Sequence, residues 1–306
     1  MPSVCPNLII VGAAKCGTTT AASMLAKHPE VFMATPKELS FFVAPEARRV
    51  ESWAEYQLHF AAAQRARIVG EASVAYLFDP TSAAAIYERL GHNVKILIFV
   101  RNPVDMAYSL WGHMRRLERE PLDFIDAIAA SERRVMGQVP IYDWIGNYQY
   151  LERAQYAPQI TRYRQLFGEQ QVRIEVFDDL VERPSATITR LHDWLGIAPL
   201  PVSSAPILNP AGVGRIPGLR RLMDRHSVPK QLFKSVMPKR ARQKIKGFVE
   251  LFNRRALLLP ELALSVRRDL EQYFLQDVQT ISSWAERDLA ALWGMCQPSC
   301  DDGDIG

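Results

Sequence analysis

The sequence is poor in cysteine, with four residues in a chain of 306, which is too few for a disulfide framework. Cys296 and Cys300 lie close enough in sequence to pair, but free thiols, including Cys5 and Cys16, are the simpler expectation. No Cys/His cluster has the spacing of metal ligands. The sequence therefore predicts neither a disulfide-stapled domain nor a metal site.

Long hydrophobic runs are also missing, and no apolar stretch is long enough to cross a bilayer. Residues 1–7, which precede the first apolar segment, are too few for a signal peptide. With 48% hydrophobic and 23% charged residues, the composition is that of an ordinary globular protein. These features favour a cytoplasmic enzyme, and no internal repeat is present.

The formal net charge of +4 conceals an uneven distribution. Residues 213–256 contain 13 Lys/Arg and only two acidic residues, a surplus of +11, so that the rest of the chain carries −7. Such a segment could attract an anionic ligand or touch a lipid surface as a peripheral contact. A solvated insertion explains it equally well, and both interpretations stay open.

Residues 8–20 have the pattern of a phosphate-binding loop. Four apolar residues at 8–11 predict a buried strand, and 18–27 predict a helix that ends before Pro29. Between them, loop amides and the helix N-terminus converge on one point, where the helix dipole favours an anion. The predicted ligand-binding residues of this stretch are Gly12, Ala14, Lys15, Cys16, Gly17, Thr18, Thr19 and Thr20.

The loop departs from the Walker A pattern of nucleotide kinases and NTPases, G-x-x-x-x-G-K-[ST]. Gly12 and Gly17 have the right spacing, but Thr18 stands where those enzymes have Lys, and the lysine lies inside the loop at Lys15. The strong strand at 94–100 ends in Arg101 rather than in an Asp that could bind magnesium. These two departures argue against a P-loop kinase or NTPase, which we keep only as an alternative interpretation. A non-catalytic module that binds nucleotide or polyanion is a second alternative.

The pattern Gly-x-x-Lys-x-Gly-Thr-Thr resembles the 5′-phosphosulfate loop of sulfotransferases that use 3′-phosphoadenosine 5′-phosphosulfate (PAPS). Four further segments resemble the same family, in particular its bacterial and heparan-modifying members, and the likeness is weakest at 213–260. These segments are Lys-Glu-x-x-Phe-Phe at 37–42, Glu-Ala-Ser-Val-Ala-Tyr at 71–76, Arg-Asn-Pro at 101–103 with Ser109, and Phe-Asp-Asp-Leu at 177–180 with Trp-Leu-Gly at 194–196.

The resemblance implies a mechanism of in-line sulfuryl transfer to a hydroxyl or amine, with adenosine 3′,5′-bisphosphate (PAP) as the leaving group. Lys15 would stabilise the charge that develops on the bridging oxygen. Glu38 would take the acceptor proton, and no metal would be needed. The resemblance assigns Arg101 and Ser109 to the 3′-phosphate, and a late loop with Gly212 and Arg215 to a cover over the cofactor.

The acceptor is expected to be a small molecule, sugar or lipid rather than a nucleic acid, and Glu71, Ser73 and His113 are candidates for lining its cleft. Two departures limit what the resemblance implies here. Ala72 stands where heparan-modifying relatives have Lys, and Val74 replaces the usual Pro. Glu71 could instead cap the following turn.

Strands and helices alternate along the chain, which predicts an α/β fold with a mostly parallel sheet flanked by helices. The resemblance implies that this fold is of the P-loop-like sulfotransferase type. We expect a single domain over 1–306 with a basic helical or loop insertion at about 213–260. Phosphate sites should lie at the carboxyl ends of neighbouring strands. The predicted strands are 8–11, 67–70, 94–100 and 172–177, and the main predicted helices are 18–27, 53–63, 80–90, 104–117, 150–167, 186–195 and 263–284.

Overall fold

The computed structural model describes residues 4–200 and 259–295, together with the backbone of 213–214 and 254–255. Those two short pieces pair as antiparallel strands. Gly212, Arg215, Cys296, Cys300 and most of the basic segment lie outside the described residues, so the predictions made for them stay predictions.

A five-stranded parallel sheet forms the centre of the fold, in the order β2-β3-β1-β4-β5. This confirms the predicted α/β class and the mostly parallel sheet. The strands are β1 Leu8–Gly12, β2 Val31–Met33, β3 Ile68–Ala72, β4 Lys95–Val100 and β5 Val172–Val176.

Continuous apolar sequence explains why β1 lies at the centre of the sheet. All five of its residues are buried, as are five of the six in β4, because helices cover both faces of a parallel sheet. β2 was not predicted as a strand, because three residues carry too little periodicity to show one. It forms by pairing with β3, where Gly70 leaves room for the Met33 side chain: a Cβ at Gly70 would lie 2.6 Å from the Met33 sulfur.

Thirteen α-helices lie within the described residues. Five of the predicted helices, at 18–27, 80–90, 104–117, 186–195 and 263–284, agree with them to within two residues, whereas the helix predicted at 53–63 ends at Leu58. The thirteen helices are α1 Thr18–Leu25, α2 Trp53–Leu58, α3 Ala75–Phe78, α4 Ser82–Leu90, α5 Pro103–Arg116, α6 Phe124–Ala129, α7 Ser131–Val135, α8 Tyr150–Ala154, α9 Tyr156–Phe167, α10 Phe177–Glu182, α11 Pro184–Leu195, α12 Leu264–Trp284 and α13 Leu289–Leu292. None of these is long and apolar enough to span a membrane.

The predicted helix over 150–167 is wrong in one respect, because the chain breaks at Gln155 to form α8 and α9. The Asp277 carboxylate, on α12, accepts hydrogen bonds from the backbone amides of Tyr156 and Ala157 at 2.9 and 2.8 Å. These are amides of the first turn of α9, which need a partner outside the helix. A cap from 120 residues away leaves no signal in the local sequence.

The chain divides into two compact units. The first comprises 1–108, 149–208 and 262–306 and contains the parallel sheet. The second comprises 109–148 and 209–261. In its described part, a buried ion pair joins Arg134 to Glu120 at 2.7 Å, and the Trp111 indole donates to the Leu122 carbonyl. The predicted single domain with an insertion stays a prediction.

Candidate active site

The Gly12–Gly17 loop leaves the carboxyl end of β1 and enters α1 through backbone that is left-handed at two residues. Gly17 has φ 81° and Lys15 has φ 64°. A Cβ at Gly17 would lie 2.9 Å from the side chains of Phe177 and Leu180, and a Cβ at Gly12 would lie 2.7 Å from Leu77 Cβ. Both glycines are therefore required by sterics, and at Gly17 by backbone conformation as well.

This requirement gives a stability prediction. Gly17→Ala should lower the free energy of unfolding more than Gly196→Ala, in which the glycine is also left-handed (φ 72°) but a new Cβ meets only the Arg67 guanidinium at 3.7 Å. We expect about 1 kcal/mol for the backbone conformation alone and a further ~1–3 kcal/mol for overpacking at Gly17. Urea unfolding of the two variants tests this, and equal losses would contradict the close packing of the loop.

The first turn of α1 provides amide donors at the mouth of the loop. Its N-cap is Gly17, no side chain caps it, and no acidic residue lies in its first turn. The amides at a helix N-terminus have no partner within the helix, and the helix dipole favours negative charge there. Three threonines occupy this turn, of which Thr18 is buried and Thr19 and Thr20 are half-buried. This arrangement is the one expected of an anion-binding loop, and anion binding here stays a prediction.

Cys16 faces the core, so of its polar groups only the backbone amide can serve a ligand. Its thiol donates to the Ala14 carbonyl at 3.3 Å and lies 3.7 Å from the Tyr156 hydroxyl, which donates to the Arg101 carbonyl at 3.0 Å. Burial raises the pKa of the Cys16 thiol to about 12, although the charges of Arg101 and Lys15 act in the opposite direction. Cys16 therefore packs as a neutral group and, through Tyr156, connects the loop to the end of β4.

Arg101 follows β4, the strand beside β1, so the two carboxyl ends bring it next to the loop. Its guanidinium lies over the Phe177 ring, 4.8 Å from the centroid, and its side chain is 27% exposed. The nearest acidic group, Asp105, is 4.0 Å away and makes a closer pair with Arg267 at 2.8 Å. Stacking on Phe177 thus fixes Arg101 while its ion pair with Asp105 is weak. Sequence reasoning missed Asp105 and Arg267, whose long-range pair leaves no local signal.

Lys37 and Glu38 lie against the loop. The Lys37 ammonium donates to the Thr18 hydroxyl at 3.0 Å and to Glu38 Oε1 at 2.5 Å, while Glu38 Oε2 accepts from the Val74 amide at 3.0 Å. Both side chains are about one-fifth exposed, at 21% and 23%. Sequence reasoning gave Lys37 no role, although its position directly before Glu38 in the Lys-Glu-x-x-Phe-Phe motif was a usable signal.

Glu71 and Ser73 lie in the core rather than in an open cleft, with exposures of 1% and 0%. Glu71 Oε1 accepts from the hydroxyls of Tyr56 and Tyr76, both at 2.8 Å, and its Oε2 accepts from Ser73 at 2.9 Å. Burial raises the pKa of Glu71 to about 7, against the effect of these three donors. Both carboxylate oxygens of Glu71 are thus engaged inside the protein, and the expected contact of Glu71 and Ser73 with the acceptor stays a prediction.

Ser109 and His113 both lie on α5, within the second compact unit. Ser109 is half-buried, and a His113 ring nitrogen lies 3.0 Å from the Arg116 guanidinium one turn along the same helix. Their predicted contacts with the 3′-phosphate and the acceptor stay predictions. Within the described residues, no group of three or more His, Cys, Asp or Glu is arranged to hold a metal ion.

The sulfotransferase domain family model matches residues 6–207, about two thirds of the chain. The chain belongs to the sulfotransferase family. The predicted family and fold are therefore confirmed, and sulfuryl transfer is the chemistry of the family rather than phosphoryl transfer by a kinase.

Solved and curated relatives of this sulfotransferase agree with that placement. A crystal structure of a sulfotransferase from Alicyclobacillus acidocaldarius is 27% identical and superposes with a TM-score of 0.70, covering 94% of this chain and 98% of that one. The bifunctional heparan sulfate N-deacetylase/N-sulfotransferase 1 of Caenorhabditis elegans is 26% identical over 209 residues, which are 64% of this chain and 22% of that protein. The membrane-associated sulfotransferase kil1 of Dictyostelium discoideum is 28% identical over 123 residues, 39% of this chain and 26% of that protein. The chain thus spans about a quarter of the length of these curated relatives.

Proposed function

We propose that the protein transfers the sulfuryl group of PAPS to a hydroxyl or amine of a small-molecule, carbohydrate or lipid acceptor. One observation carries the proposal. The Lys37 ammonium bridges the Thr18 hydroxyl, at the mouth of an anion-binding loop, to the Glu38 carboxylate. A site for the donor anion and a carboxylate able to take a proton are thereby held side by side.

The donor would be held by residues at the carboxyl ends of β1 and β4. The loop amides of 12–17, the first-turn amides of α1 and the hydroxyls of Thr18, Thr19 and Thr20 would bind the 5′-phosphosulfate. Arg101 offers a planar fork of donors for the 3′-phosphate, to which we also assign Ser109 and, beyond the described residues, Arg215. The loop that contains Gly212 and Arg215 would cover the cofactor.

In the reaction, an acceptor lone pair attacks sulfur while the bond from sulfur to the bridging phosphate oxygen breaks. The electron pair of that bond leaves with PAP, and Lys15, held inside the loop, stabilises the new charge. Glu38 takes the acceptor proton. Lys37 orients the Glu38 carboxylate and fixes the Thr18 hydroxyl, so that base and donor site keep one geometry.

The cofactor assignment predicts a nucleotide preference. PAP should raise the melting temperature of the protein far more than AMP or ATP does, because neither AMP nor ATP carries a 3′-phosphate for Arg101 to bind. Arg101→Ala should remove the preference, whereas Arg65→Ala, which removes a charge from an exposed position, should keep it. Thermal-shift measurements with the three nucleotides decide this, and equal stabilisation by AMP would remove the case for PAPS.

Lys37→Met should lower the turnover number about tenfold, which corresponds to about 1.4 kcal/mol of transition-state stabilisation. The substitution keeps a flexible unbranched side chain but removes the two hydrogen bonds that hold Thr18 and Glu38 together. Steady-state kinetics with labelled PAPS measures the effect, and Lys27→Met, at an exposed position two residues after α1, is the control. An unchanged rate would show that the bridge does not contribute to turnover.

The three acceptor classes can be distinguished in one assay. A screen of hydroxylated metabolites, sugars and lipids with ³⁵S-labelled PAPS would test each class directly.

A further inference from the structure

Glu71 is the centre of a buried hydrogen-bond network that includes part of the Lys-Glu-x-x-Phe-Phe segment. Its three donors come from three places: Tyr56 on α2, Tyr76 on α3, and Ser73 just after β3. The charge of a buried carboxylate is tolerated only when such donors surround it.

Two of these hydroxyls also hold the segment that carries Glu38, which we call the base loop (residues 37–42). The Ser73 hydroxyl accepts from the Ser40 amide at 3.1 Å, and the Tyr76 hydroxyl accepts from the Phe41 amide at 2.9 Å. A hydroxyl has one proton and two lone pairs. Because both protons are directed at Glu71, the lone pairs are left to face the base loop.

The base loop needs such support. Glu38 has φ 66° and Ser40 has φ 50°, conformations that are unfavourable for residues with a Cβ. The Phe41 ring stacks on the Tyr56 ring with the centroids 4.9 Å apart, and this contact anchors the Phe41 side chain. The backbone amides of Ser40 and Phe41 depend instead on the Ser73 and Tyr76 hydroxyls. The strained backbone therefore persists because surrounding contacts determine it.

We propose that Glu71 is a positioning residue for sulfuryl transfer: its ionised carboxylate orients the Ser73 and Tyr76 hydroxyls, which hold the base loop and so fix the Glu38 carboxylate toward the acceptor. The proposal rests on the proposed function only for the role of Glu38. The support that Glu71 gives to the base loop can be tested without it.

A proton on Glu71 would disturb this arrangement, because one carboxylate oxygen would become a donor and one of the three hydroxyls would lose its acceptor. With a pKa raised to about 7 by burial, Glu71 changes charge near neutral pH. The charge of Glu38 raises the pKa of Glu71 further. The other titratable groups that face Glu71 are Tyr56 and Tyr76. Burial raises the pKa of both tyrosines, so both hydroxyls stay protonated and continue to donate. Cys5 acts electrostatically on Tyr56 and raises its pKa further.

Stability and activity should consequently respond to pH in opposite senses. The pKa of Glu71 lies above its usual value of 4.5 in the folded state, so its contribution to stability is present below about pH 4.5 and is lost as the pH rises through 7. Activity should rise through the upper part of this interval. Burial also raises the pKa of Asp277, to about 6, so Asp277 changes stability over the same pH interval. The contribution of Glu71 is therefore the difference between the pH dependence of stability in wild type and in Glu71→Gln.

Two tyrosines provide a matched pair of variants. Tyr56→Phe and Tyr76→Phe each remove a 2.8 Å hydrogen bond to the same Glu71 oxygen and keep the ring, but only Tyr76 also accepts from the base loop. The experiment measures release of labelled inorganic sulfate from PAPS between pH 5.5 and 9, with water in place of the acceptor. Amide hydrogen exchange of 36–43 and the thermal shift by PAP are measured on the same proteins.

Glu71→Gln and Tyr76→Phe should lower the rate at pH 8 by about 10–100-fold, as expected for a misplaced catalytic group. They should also speed exchange in 36–43 and keep the PAP thermal shift. Tyr56→Phe should keep most of the rate but move the acidic limb of the profile to higher pH, because it removes a donor that lowers the pKa of Glu71.

Wild-type rate and exchange in Glu71→Gln and Tyr76→Phe would overturn the proposal. Equal losses in the two tyrosine variants, with no movement of the acidic limb, would overturn it too, since they would indicate general packing. If wild-type protein neither binds PAP nor releases sulfate, the proposed function fails, and exchange in 36–43 still decides whether Glu71 holds the base loop.

Discussion

Glu38→Gln should retain PAP binding and lose turnover by ~10²–10⁴-fold, the range for a lost general base. The substitution keeps the size of the side chain, and its amide oxygen can still accept from the Val74 amide, which now binds Glu38 Oε2 at 3.0 Å. What it removes is the ability to take a proton from the acceptor. Turnover of labelled PAPS and the thermal shift by PAP, measured on the same protein, separate the two effects.

The matched control for this change is Glu46→Gln, which neutralises an exposed carboxylate of the same unit. Because the new amide nitrogen could repel Lys37, the double variant Glu38→Gln/Lys37→Met shows whether the loss comes from the missing base or from the disturbed bridge. A near-wild-type rate in Glu38→Gln would assign the base to another group, with His113 the next candidate.

Lys15→Met should lower turnover by ~10²–10³-fold, the usual effect of removing one group that stabilises charge in the transition state. The methionine retains an unbranched side chain, so the left-handed backbone at φ 64° is no more strained than before. The lost ammonium acts mainly on the oxygen that becomes negative as PAP leaves. We therefore expect the turnover number to fall by a larger factor than the affinity for PAP.

Lys27→Met, at an exposed position two residues after α1, is the control, because it removes one positive charge from the same part of the chain without changing the loop. Loss of turnover with retained PAP binding would also exclude a non-catalytic nucleotide-binding module. If Lys15→Met turns over at the wild-type rate, the charge on the leaving group is stabilised elsewhere, and the loop serves binding alone.

The sequence by itself determined the features that depend on neighbouring residues. Continuous apolar runs place β1 and β4 in the buried centre of the sheet, because no solvated strand would tolerate them. The spacing of Gly12, Lys15 and Gly17 predicted an anion-binding loop that departs from the kinase pattern, because backbone conformation and the position of one charge are local properties.

Tertiary structure alone decided which of the candidate carboxylates are accessible. Glu38 and Glu71 both precede small or apolar residues, yet one lies beside Lys37 at the loop and the other lies in the core among three hydroxyls. Their environments differ because the hydroxyls around Glu71 come in part from two separate helices, Tyr56 from α2 and Tyr76 from α3. Contacts between separate elements leave no periodic pattern in the sequence, so the sequence could not predict them. The same reason explains why the cap of α9 by Asp277 and the contact from Cys16 through Tyr156 to Arg101 could be known only from the folded chain.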